Sequence, residues 1–302
     1  MSKSTIVSIL NESTVTRRAL LEKAEGITGT RIVAYIANPN ASPNFIDQND
    51  PPFINDILES VGKVEQLDLI IESPGGEPNI AEKLATMFRE FCYSFRVIVL
   101  NSAKSAATMV AISSDKILMG YLSEMGPIDP QIRLISPQGQ VTFTPAQSII
   151  DSLPLLDNAI KRGIDPRVAI ALIQKIDPSI VDVANKAILF SKAFAKEWLG
   201  KYMFKGNQQK AQEIAEALSD NRRWLSHGKR IGFGEARQLG LNVELMDRTS
   251  ELWKVLWEYY SRALIHLNNA GTIKLFESKD LSMDFTVRVG GPPTPTRPKE
   301  TG

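Results

Sequence analysis

Across 302 residues the chain has one cysteine, two histidines and almost no net charge, +1 at neutral pH. A single thiol, Cys92, allows no disulfide framework and no cysteine-based zinc site, which suits a reducing compartment. A cytoplasmic location is therefore expected. The 35 basic and 34 acidic residues balance. That balance lacks the concentrated basic face which nucleic acid demands, so no nucleic-acid partner is expected. Long apolar runs are also missing: none approaches the ~18 residues of a membrane span, and no transmembrane segment is expected. The N-terminal stretch Met1–Lys23 holds only a short, broken apolar run before its charges, too short for the core of a signal peptide.

What is present centres on Leu67–Gln131. Two short runs rich in Val, Ile and Leu, Leu67–Ile71 and Arg96–Leu100, read as buried strands, each feeding a turn and then a helix. The first turn is Ser73-Pro74-Gly75-Gly76, where proline fixes the approach and the glycines let the N–H groups face outward. The second, Asn101–Ser105, delivers a serine to the start of a small-residue helix, Ala106–Ser113. A hydroxyl beside outward N–H groups on neighbouring strand ends is the minimum equipment for acyl transfer. Each piece also has a plain reading. Ser105 can serve as a helix cap, Pro-Gly-Gly suits any tight turn, and Ser102 sits where it would support the loop.

SPGG after one strand, with a serine among alanines one strand–helix unit later, resembles the ClpP-like serine peptidases of the ClpP/crotonase fold. The wording SAATM (Ser105–Met109), DKILMG (Asp115–Gly120) and SEMGPIDPQ (Ser123–Gln131) is similar to the serine dehydrogenase proteinase family, relatives of signal peptide peptidase A. GEARQLGL at Gly234–Leu241 fits the same family. The resemblance implies an α/β fold: a spiral of strand-strand-helix units with a helical insert and a C-terminal helix-strand extension. It implies a serine peptidase acting on peptide or protein through an acyl-enzyme on Ser105. The oxyanion hole would lie at Gly75, Gly76 and Ala106, with Gly76 and Ala106 as its N–H donors. A homo-oligomer follows from the same resemblance, and no metal or organic cofactor is implied. The chain departs from the family at Lys104–Ala107, where a glycine-richer stretch is expected after the serine.

Clp peptidases place a histidine in the strand that follows the serine's helix. Here that segment is Met125–Pro130, MGPIDP, which has none. His266 lies on the amphipathic run ELWKVLWEYYSRALIHL and reads as a boundary residue. His227, in the polar loop Ser226-His227-Gly228-Lys229, is the expected base, its alternative being an ordinary exposed loop residue. Asp129, between two prolines, either orients that histidine as the third triad member or fixes a turn. A Ser–Lys dyad is the other arrangement on this fold. Lys104 precedes the serine and would point away from it, leaving Lys116 as the alternative base. Two readings from other classes stand beside the peptidase. One is a catalytically inactive scaffold, because MGPIDP lacks a histidine. The other is a crotonase-type acyl-CoA enzyme, against which the SAATM serine and the lack of an acidic catalyst beside SPGG both count.

Elsewhere, the N-terminal segment 1–30 is expected to hold a surface helix over Thr14–Gly26, and Arg31–Ala37 is the first core strand. Asn38–Pro52, polar and rich in Pro and Asn, reads as a long loop of the kind that forms lids or rims. Phe53–Val61 has helical spacing. IRLISPQGQVTF reads as a hairpin with Pro-Gln-Gly at its tip. Thr144-Pro145, with threonine as cap and proline at the first position, then starts a helical insert over about 145–218, with helices at Ala146–Arg162, Pro166–Ile176, Pro178–Phe204 and Gln208–Ala217. A helix and a strand within Glu251–Val289 close the domain 31–289, and the tail Gly290–Gly302 is expected to be disordered.

Overall fold

The computed structural model describes residues 5–135, 138–173 and 177–286. The chain begins with helix α1 (Thr5–Thr28), strand β1 (Arg31–Ala37), α2 (Asp50–Val61), β2 (Val64–Glu72), α3 (Pro78–Glu90) and β3 (Cys92–Val99). The two-residue strand β4 (Ser102–Ala103) leads into α4 (Ala106–Ile112), followed by β5 (Lys116–Met119) and the short β6 (Glu124–Met125). A hairpin, β7 (Gln131–Ile135) and β8 (Val141–Pro145), opens a helical block: α5 (Ala146–Lys161), α6 (Pro166–Ile173), α7 (Pro178–Trp198) and α8 (Gln208–Ser219). Short helices α9 (Asn221–Trp224) and α10 (Phe233–Gln238) precede β9 (Val243–Leu245), the long α11 (Glu251–Ala270), β10 (Lys274–Ser278) and β11 (Ser282–Phe285).

Among the described residues, seven strands form one sheet in the order β11-β10-β1-β2-β3-β5-β9. The run from β1 to β9 is parallel, while β10 and β11 add antiparallel at the β1 edge. Where both faces of the central strands are covered they are mainly apolar, as in Leu69–Ile71 and Val97–Val99. On β1, Val33, Tyr35 and Ala37 face a core built with α2, α3 and α4, whereas Ile32, Ala34 and Ile36 face α1 and α11. Ile70, Ile98 and Leu118 continue the second face, so the period-two alternation of a strand is satisfied against two helical layers.

Several boundaries differ from the sequence reading. α1 begins at Thr5, well before Thr14. α2 begins at Asp50 rather than Phe53, and its first turn holds Pro51 and Pro52, where a missing N–H costs nothing. Thr144 does not cap α5: it pairs with Ile132 across the hairpin, and the helix starts at Ala146. The expected helix to Phe204 ends at Trp198 and continues as a π-helical turn, Leu199–Met203. The segment after α11 supplies two strands rather than one. The expected disordered tail, the hairpin residues Ser136 and Pro137, and Gln174–Ile176 lie outside the described residues.

Two buried ionic networks join distant parts of the chain. Arg17 of α1 is fully buried and bonds Glu277 of β10 from Nε (3.0 Å) and Nη2 (2.9 Å), with Tyr259 of α11 donating to the same carboxylate at 3.0 Å. Lys274, equally buried, reaches Asp50 at 2.7 Å and Asp47 at 3.2 Å, and the Tyr35 hydroxyl donates to Asp50 at 3.0 Å. Burial pushes the Asp50 carboxyl up to about 6, with Lys274 partly offsetting it. The second network holds the 46–50 segment, and that segment holds the candidate site.

Candidate active site

The Ser73–Gly76 turn leaves β2 and is clamped from both sides. On one side Ser73 N–H donates to Ser102 O (3.0 Å) and Lys104 N–H donates to Ser73 O (3.0 Å). On the other, Ile46 N–H donates to Gly75 O (2.7 Å) and Glu77 N–H to Ile46 O (2.9 Å). Neither glycine tolerates a side chain. A β-carbon on Gly75 (φ 115°) would lie 2.7 Å from Ser105 Cβ and 3.3 Å from its hydroxyl, and one on Gly76 (φ 144°) would lie 2.2 Å from Ile46 O. Gly75 N–H is taken by Ser73 Oγ at 3.2 Å, so of the turn's two glycines it is not the free donor. Gly76 N–H and Ala106 N–H have no hydrogen-bond partner among the described residues.

Ser105 occupies the position before the first turn of α4 with φ 48° and ψ −116°, a conformation L-residues rarely adopt. Its hydroxyl makes no capping bond, so the plain reading of this serine as a helix cap does not hold. A sharp strand-to-helix turn of this kind presents a hydroxyl beside the unpaired Ala106 N–H, while the next N–H, of Ala107, donates to Lys104 O (2.8 Å). Ser102, the neighbouring serine, lies in β4 with its backbone N–H on Glu72 (2.8 Å) and its carbonyl on Ser73.

His227 and Asp129 meet. His227 Nδ1 lies 2.9 Å from Asp129 Oδ1, with the carboxylate side chain 3% exposed and the imidazole 29% exposed. The carboxylate also accepts from Asn221 Nδ2 (3.1 Å) and Gln131 Nε2 (3.4 Å). Because an ionised carboxylate only accepts, Nδ1 is the donor in this pair, and in the neutral imidazole Nε2 is the acceptor. Three ties connect the segments that carry this pair to the turn and helix of the serine. Thr108, in the first turn of α4, donates to Gly126 O (3.0 Å) and receives Gly126 N–H (3.0 Å). Met125 and Ile231 exchange backbone bonds of 2.9 Å in each direction. Lys104 reaches the carbonyls of Gly228 and Lys229, both at 3.5 Å. So the histidine is carried by the loop before α10, while the MGPIDP segment supplies its carboxylate partner.

The other candidates fall elsewhere. Lys116 sits at the start of β5, in register with Arg96 near the opposite end of the sheet from Ser105, and pairs with Glu244 at 2.9 Å on the surface. His266 pairs with Asp284 of β11 at 3.0 Å. Residues that the sequence reading passed over also surround the site. Ile46 clamps Gly76. Glu72, the last residue of β2, is 4% exposed and accepts from Ser102 N–H (2.8 Å) and Asn101 Nδ2 (2.9 Å). Burial pushes its carboxyl up to about 7. An acid ending the apolar run of β2 just before SPGG was the available signal for Glu72. Nothing in the sequence marked Ile46. Among the described residues no group of three or more His, Cys, Asp or Glu side chains is placed to hold a metal. No helix among them is long and apolar enough to cross a membrane.

Comparison with known proteins shows the family to which the chain belongs. Uncharacterized protein MJ0137 of Methanocaldococcus jannaschii is 32% identical over 201 residues, 66% of this chain and 61% of that protein, so the chain spans less than two thirds of it. Uncharacterized protein MJ1495 of the same organism is 28% identical over 75% of this chain and 71% of its own length. Among solved structures, a mutant of the 1510-N membrane-bound stomatin-specific protease is similar over 70% of this chain and 79% of its own, at 15% identity and a TM-score of 0.41. ClpP1 from Listeria monocytogenes is similar over 74% of this chain and 96% of its own, at 13% identity and a TM-score of 0.38. Residues 31–269 match one family description along most of the chain, covering every residue from Ile46 through His227 discussed above, and by that match the chain belongs to the ClpP-like SDH-type serine proteinases.

Proposed function

We propose that the chain hydrolyses peptide bonds as a serine peptidase, through an acyl-enzyme on Ser105. Ser105 Oγ attacks the carbonyl carbon while His227 Nε2 accepts its proton, and Asp129 holds the imidazole in the required tautomer. The carbonyl oxygen takes up negative charge facing the N–H groups of Gly76 and Ala106, donors already in place before the reaction. Nε2 then gives its proton to the departing amine. Water repeats the sequence on the ester, returning the hydrogen to Ser105 and releasing the acid. The observation that carries this reading is the buried Asp129 bonded to His227, on a loop tied to Lys104, the residue beside a serine whose hydroxyl caps nothing.

A fluorophosphonate probe tests it, because only an activated serine displaces fluoride. Intact-mass analysis and peptide mapping are expected to place one adduct on Ser105 and none in Ser105→Ala. A wild-type chain that takes up no probe, or takes it up on another residue, contradicts the reading and favours a silent scaffold.

A further inference from the structure

Lys104 adjoins Ser105 in sequence, yet its side chain leaves the serine and crosses Gly126 toward the loop that carries His227. A β-carbon at Gly126 would lie 2.9 Å from Lys104 Cδ, so this glycine leaves the channel that the lysine fills. At its end Nζ pairs with Glu124 Oε1 at 2.8 Å and meets the carbonyls of Met125 (3.3 Å), Gly228 (3.5 Å) and Lys229 (3.5 Å). Its side chain is only 15% exposed. The loop it reaches is otherwise open: Leu225, Ser226, Gly228, Lys229 and Arg230 are all exposed. Besides Lys104, the loop is tied by the Asp129 bond, the Met125–Ile231 bridge, surface pairs of Lys229 with Glu235 (3.1 Å) and Arg230 with Glu124 (3.5 Å), and Arg230 Nη2 donating to the carbonyls of Tyr121 (3.3 Å) and Ser123 (3.5 Å).

We infer that Lys104 is a positioning residue for the base, a cationic anchor that gathers the carbonyls after His227 and keeps the imidazole within reach of Ser105. The inference rests on the reading of His227 as the base. Every group around Nζ is an acceptor, so the ammonium acts there as a donor. A proton acceptor for Ser105 would need the opposite surroundings. One side chain thereby couples the nucleophile's turn to the base's loop: movement of either is felt by the other.

The decisive comparison is the fluorophosphonate labelling rate of wild type, Lys104→Met, Lys104→Arg and His227→Ala, followed across pH 6 to about 9, the range where an imidazole and a tuned lysine titrate apart. Arginine keeps the charge and the donors but stays protonated in proteins. The anchor predicts that Lys104→Met slows labelling by about 10²-fold, in keeping with the worth of a well-placed base. It predicts that Lys104→Arg recovers to within ~10-fold of wild type, with the midpoint of the pH profile unmoved. Amide hydrogen exchange should accelerate over residues 225–230 in Lys104→Met, a reading independent of the chemistry and available even if that variant is less stable. Wild-type rates in Lys104→Met, with His227→Ala inactive, overturn the anchor alone. A Lys104→Arg variant as slow as Lys104→Met overturns it, because restoring the charge and the donors then fails to restore the base. Wild-type labelling in His227→Ala overturns the base reading, and the anchor with it.

Discussion

Ser105 is held at φ 48° and ψ −116°, where a β-carbon crowds the backbone and a residue other than glycine costs about 1–3 kcal/mol. Glycine adopts this region freely but gives back about 0.5–1 kcal/mol through its looser unfolded chain. The difference favours glycine. Ser105→Gly is therefore expected to melt about 2 °C higher than wild type while losing all probe labelling, as a catalytic site under strain requires. A lower melting temperature in that variant would remove strain from the account. Glu72 makes a second claim at this scale. Its folded value of about 7 stands above the unfolded 4.5, so the native state holds the proton more tightly than the unfolded chain. Its contribution is thus fully present below about pH 4.5 and is lost as pH rises through about 7, up to roughly 3 kcal/mol in all. Denaturant unfolding at a series of pH values should show a smaller fall between pH 5 and 8 for Glu72→Gln than for wild type. Equal slopes in the two proteins would remove Glu72 from the pH dependence.

At the scale of elements, the SPGG turn works only because the segment containing Ile46 lies across Gly76 and β4 lies along Ser73. A methyl group on Gly76 would strike the Ile46 carbonyl at 2.2 Å, against backbone that cannot swing aside. Gly76→Ala should therefore displace the turn, slow labelling by about 10²–10³-fold as for a lost oxyanion donor, and lower stability. Wild-type labelling in that variant would place the donor elsewhere. The strands, the SPGG turn and the start of α4 were legible because each carries its own local signature: an apolar run, a proline–glycine pair, a block of small residues. The start of α2 was not legible, since Pro51 and Pro52 read as loop until Asp50 is seen to be fixed by Lys274, more than two hundred residues away. The same holds for the site. Ser105, Gly76 and the pairing of His227 with Asp129 follow from residue type, scarcity and family resemblance. The roles of Ile46, Glu72 and Lys104 depend on contacts between segments far apart in sequence, or on the direction a side chain takes, and no local pattern encodes these.

For the molecule as a whole, large apolar side chains remain exposed outside the two buried cores, many on the hairpin and the helical block and others on α1, β3, α11 and the loop at Leu225. Ile135 and Phe143 on β7 and β8 are 60% and 65% exposed, and Leu155 and Leu189 on α5 and α7 are 67% and 66% exposed. Apolar side chains exposed along the hairpin and the helical block favour cover, and a second copy of the chain supplies it most simply, by closed symmetry. Sedimentation velocity at micromolar concentration should show a species larger than the 33.4 kDa chain. A Phe143→Glu variant should shift it toward the monomer. A wild-type monomer under these conditions would contradict self-association.

The claim on which the rest depends is that His227 takes the proton of Ser105. With only two histidines in the chain, and His266 paired to Asp284 on β11, one substitution decides it. The measurement is the second-order rate of fluorophosphonate attachment to Ser105, by intact mass, in wild type and in His227→Ala at neutral pH. A fall of at least about 10³-fold is expected, because the serine loses its proton acceptor while its oxyanion donors remain. An unchanged rate, with the adduct still on Ser105, would contradict it.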